Sequence, residues 1–173
     1  MADRPPLNVF GRDANARRLA QIVRARLTGA AMRSIGTEFS VTLASPRQLP
    51  DAPNRGVTVN VSLQYFEGSN GARQRAGMAN FIRTNFAGSG LPQVLKAIPD
   101  LRMAVAIMAS EPIRPDMTDS LFSLALEIAA RSDGFIMDHV HGRIWSPEGL
   151  ELGAFVSDSS RRFNQCDPTE SSP

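Results

Sequence analysis

Both histidines of this 173-residue chain fall in one short segment, Asp138-His139-Val140-His141. On an extended backbone, alternate side chains share a face, so His139 and His141 would project together and Asp138 the other way. Two imidazoles on one face begin a metal site. The next ligand would then have to be a distant carboxylate such as Asp116, Asp119 or Glu148, because the single cysteine, Cys166, lies in a polar C-terminal stretch. The simpler reading is a polar strand end before a turn at Gly142. On that basis no metal ligand, cofactor or catalytic residue is assigned, and Asp138, His139 and His141 stand as the place where an enzyme site would lie.

Three other groups carry weaker chemistry. Glu67-Gly68-Ser-Asn-Gly71-Ala-Arg73-Gln-Arg75 follows an alternating segment and opens a helical one, so backbone N–H groups with Arg73 and Arg75 could hold an anion. Its spacing is neither that of a dinucleotide fingerprint nor that of a phosphate loop, and a glycine-permitted turn explains it equally well. Ser89, in Gly88-Ser89-Gly90, lacks the strand-to-helix elbow of a serine nucleophile. Arginines crowd the amino-terminal fifth, with Arg17 and Arg24 on one flank of a helical stretch, which gives a nucleic-acid reading its sharpest form. A formal net charge of only +2, one Trp and one Tyr argue against that reading. Trp145, near a hairpin, is the aromatic best suited to an interface.

The elements that position these residues follow from periodicity. Asp13 is placed to cap a helix over about 14–27, with Leu19, Ala20, Val23 and Leu27 on one stripe. Glu38 to Leu43 alternates as a strand, and a Pro-rich connection over 45–56 leads to the clearest period-two run, Val57 to Tyr65. An antiparallel pair of strands is expected there, with Tyr65 in the core. A helix over 72–86, a short helix over 92–98 and a central strand over 101–109 follow. Asp116 or Thr118 then caps a very apolar helix, Phe135 to Val140 forms a strand, and Ser146-Pro-Glu-Gly149 turns a terminal hairpin.

This order predicts an α+β fold with one domain over 1–156, a mixed or antiparallel sheet and helices packed mainly on one face, and a flexible polar tail over 157–173. Hydrophobic residues at 42% and charged residues at 21% match a globular domain, and no secretory or membrane-spanning segment is read, so a cytoplasmic location is expected. Lys96 is the single lysine among many arginines, a bias expected of a GC-rich bacterial genome. The expected function is a non-catalytic protein-binding or accessory module with a protein partner or self-association. Cofactors and membrane contacts are not expected, and nucleic acid is disfavoured as a partner.

Overall fold

The computed structural model describes residues 7–27, 31–35, 37–43, 57–109 and 115–156. The first strand, β1 (Leu7–Gly11), leads into helix α1 (Ala16–Arg26), and three strands follow: β2 (Ala31–Ile35), β3 (Glu38–Leu43) and β4 (Val57–Tyr65). Helix α2 (Gly68–Asn85) runs into the short strand β5 (Phe86–Ala87), then helix α3 (Leu91–Ala97) and a 3-10 turn over Ile98–Asp100. Strand β6 (Met103–Ala109), helix α4 (Pro115–Ser132) and strands β7 (Gly134–Asp138), β8 (Arg143–Trp145) and β9 (Glu151–Phe155) complete the described chain. The nine strands form one sheet in the order β2-β3-β4-β6-β1-β7-β8-β9-β5, and every pairing is antiparallel. The α+β class is therefore established in its antiparallel form, as a single domain.

Alternation along the strands makes two different faces. Leu7 and Val9 of β1, Val59, Val61 and Leu63 of β4, Met103, Val105 and Ile107 of β6, and Ile136 of β7 form one buried face. It is covered by Leu19, Ile22 and Val23 of α1 and by Leu121, Leu124, Ala125, Ile128 and Ala129 of α4. Helix α4 crosses β1 and β7 and packs against α1, so the two make a continuous layer. Tyr65 packs against this core, as its position in the alternation predicts.

The helical layer is divided rather than kept to one side. On the opposite face, Phe135 and Met137 of β7 and Ile144 of β8 are buried with Ile82 of α2, Leu91 and Val94 of α3, and Ile98 and Leu101 of the following turn. Phe10 packs against this second cluster and meets Phe135 in a tilted ring contact at 5.3 Å between centroids. These helices gather at one end of the sheet. The residues of β4 and β6 that face the same way, Ser62, Gln64, Ala104 and Ala106, are left lining an open space.

Several local expectations shift. Asn15, not Asp13, caps α1: its side chain accepts the Arg18 N–H, while Asp13 pairs with the Arg18 guanidinium at 2.8 Å. The strand β2, which has no period-two signal, forms a hairpin with β3. Helix α2 starts four residues before the expected Ala72, because Gly71 lets the helix pass close to the Phe66 backbone, where a Cβ would collide. Helix α4 begins at Pro115, so Asp116 and Thr118 lie within it rather than capping it. The expected connection over 45–56 and the tail over 157–173 lie outside the described residues.

Candidate functional site

The Asp138-to-His141 segment does not extend the strand. Strand β7 ends at Asp138, and residues 139–142 form a turn. The cause is the Asp138 carboxylate: Oδ1 accepts the backbone N–H groups of Val140 and His141 at 3.0 and 3.1 Å, bending the chain at once. Oδ2 accepts from His141 Nδ1 at 2.6 Å. Asp138 is buried, whereas the His141 side chain is 59% exposed. The turn sends the two histidines to different clefts on opposite faces of the sheet, so the shared face expected for two imidazoles does not form. Among the described residues no three His, Cys, Asp or Glu side chains come together as a metal-binding group.

His139 enters a cleft of about 500 Å³ between α2 and the sheet. Its floor is built by strand alternation: Asn8 and Phe10 from β1, Ser62 and Gln64 from β4, Ala104 and Ala106 from β6, and Met137 from β7. Gln74, Gly77, Met78 and Phe81 of α2 form the wall. Asn8 Nδ2 lies 3.0 Å from His139 Nε2 and donates to it in the tautomer that carries the ring proton on Nδ1. Gln74 Oε1 is buried without a hydrogen-bond partner among the described residues. Among the described residues no charged side chain lines the cleft; its polar groups are amides, a hydroxyl and an imidazole.

The second cleft, about 510 Å³, lies beside α4 and is lined by Leu7, Thr118, Asp119, Leu121, Phe122, Asp138, Val140, His141 and Trp145. Trp145 meets Phe122 edge-on at 5.5 Å, and the Arg143 guanidinium sits 5.8 Å from its ring centroid. Its Nε1–H is buried and without a partner among the described residues, so the cleft meets the ring rather than the polar edge.

The other candidates are not gathered into either site. Arg75 donates to the carbonyls of Phe66 and Leu101, both at 3.2 Å, and so ties the end of β4 to the approach to β6. Arg73 is exposed and does not join it in a lined cavity, so the paired-arginine anion site is not assembled. Arg17 and Arg24 are exposed on α1, but their neighbours Arg18 and Arg26 are held by Asp13 and Glu127. Asn8 and Gln74, which belong to the cleft beneath α2, were not read as functional from sequence. Their signal is a polar side chain on a strand or helix face otherwise occupied by Phe10, Met78 and Phe81.

The fold and its sites define the chain as an antiparallel α+β domain with a cleft on each face. No family model, curated protein or solved structure matches it.

Proposed function

We propose that the chain is a non-catalytic binding module whose ligand is an uncharged, mainly apolar small molecule held beneath α2. One observation carries the reading: a concave space of about 500 Å³ that combines aromatic and Met walls with a few convergent uncharged polar groups. That mixture is typical of small-molecule sites, in which apolar walls supply affinity and sparse polar groups fix orientation. A charged ligand would lose its hydration there without gaining a counter-charge. The orphaned Gln74 carbonyl favours a ligand bearing an N–H or O–H, because a buried acceptor left unsatisfied costs about 1–3 kcal/mol. Concavity favours a small molecule over the flatter protein partner expected from sequence.

The test is Ala106→Trp, which fills the cleft from the middle of β6. Wild-type protein is expected to bind the neutral apolar dye Nile red, and to be stabilised thermally by the molecule it carries from its native host. The variant is expected to retain the wild-type circular dichroism and to lose both effects. Equal dye binding by the two proteins would overturn the assignment.

A further inference from the structure

On the opposite face, we propose that the cleft beside α4 binds a small organic cation, an ammonium carried on an aromatic or alkyl body. The argument starts from charge. Asp138 is only 5% exposed, and its carboxylate is held by two backbone N–H groups and the His141 ring. None of these carries a formal charge while the imidazole is neutral. Asp119 adds a second carboxylate to the lining, and among the described residues no Lys or Arg lines the cleft. A buried carboxylate in a low-dielectric wall acts over a longer range than one in water, so its field reaches into the adjoining space.

Apolar walls complete the site. Leu7, Leu121, Phe122 and Trp145 would take the body of the ligand, and an indole face attracts a cation. The Trp145 ring already takes one in Arg143, whose guanidinium is in turn paired with Glu151. Arg143 therefore contributes little net repulsion towards a ligand.

Trp145 is the single tryptophan, so its emission reports on this cleft alone. Full-length protein is titrated at pH 8 with phenethylamine, its uncharged counterpart 2-phenylethanol and the anion 3-phenylpropionate. The amine is expected to change the emission saturably and to bind more tightly than the alcohol, with the carboxylate binding weakest. Asp119→Asn, at an exposed position, should weaken amine binding by about twofold to fivefold, the range of a solvent-exposed ion pair. Amine and alcohol binding equally, the carboxylate binding as tightly, or no saturable change with the amine would each overturn the proposal.

Discussion

The cleft beneath α2 and the cleft beside α4 share chain segments but not chemistry. Neighbours on β1 divide between them, Asn8 to the first and Leu7 to the second. The turn after β7 divides in the same way, giving His139 to one face and Asp138 with His141 to the other. The first cleft has a neutral lining, whereas the second is bounded by two carboxylates and an indole. The lesson is that adjacency in sequence says little about shared chemistry when the segment is a strand, because each step of one residue crosses the sheet. A carboxylate that ends the strand by capping a turn then fixes which histidine goes where.

The largest expected effect tests whether the two faces are packed as differently as they appear. Leu124 of α4 is fully buried against the sheet, and Leu124→Ala should destabilise the protein by about 2–5 kcal/mol through lost transfer energy and a residual cavity. Met78, partly buried on the rim of the α2 cleft, should cost under about 1.5 kcal/mol on truncation to Ala, because the space it leaves is already open. Urea denaturation measures both. Equal losses would mean that α2 closes on the sheet in solution and that the first cleft is smaller than described.

Next in size is the turn itself. Asp138→Ala removes the acceptor of two backbone N–H groups and of His141, and should cost about 1–3 kcal/mol. In the NMR spectrum of this variant the ring resonances of His141, which loses its carboxylate partner, should shift more than those of His139, which keeps its bond to Asn8. Conversely, Asn8→Ala should disturb His139 alone and cost about 0.5–1.5 kcal/mol. If either variant moved both rings, the two clefts would be coupled through the turn and not merely adjacent.

Much of this frame was legible in the sequence. The run Val57 to Tyr65 alternates so cleanly that both its strand and its buried face follow from period alone, and Val59, Val61 and Leu63 are buried as that reading requires. The central position of β6 was legible too, since Val105 and Ile107 face the α4 core while Ala104 and Ala106 line the other side. What escaped were features set by contacts distant in sequence. The edge strand β2 is placed by its hairpin with β3, not by a pattern of its own. The division of the helices between faces depends on strand order, which separates β1 from its sequence neighbour β2 by β6, β4 and β3. The Asp138 turn was hidden because a carboxylate bonding to N–H groups two and three residues ahead leaves no periodicity to read. The histidine pair was read on an extended backbone, and the turn made by Asp138 separates the two rings.

The smallest effect concerns the β8–β9 hairpin, which gives Trp145 to the cleft beside α4, and serves as a control on the independence of the two clefts. The buried Ser146 hydroxyl accepts the N–H groups of Glu148 and Leu150, each at 3.2 Å, and Gly149 completes the turn at φ 79°. The Glu148 carboxyl is held below its usual range, first by the Ser146 hydroxyl and second by its own backbone N–H. A carboxyl whose folded pKa is depressed contributes stability above its unfolded pKa, and that contribution is lost as the pH falls towards the folded value. Ser146→Ala should therefore return the Glu148 titration upward to the ordinary carboxylate range and remove its small share of the acid sensitivity. Carbon-detected NMR titration of the Glu148 side chain measures this directly. Because the turn hydrogen bonds are local, the His139 and His141 resonances should stay in place. Movement of His141 would show that the hairpin positions Trp145 and, through it, the wall of the cleft beside α4.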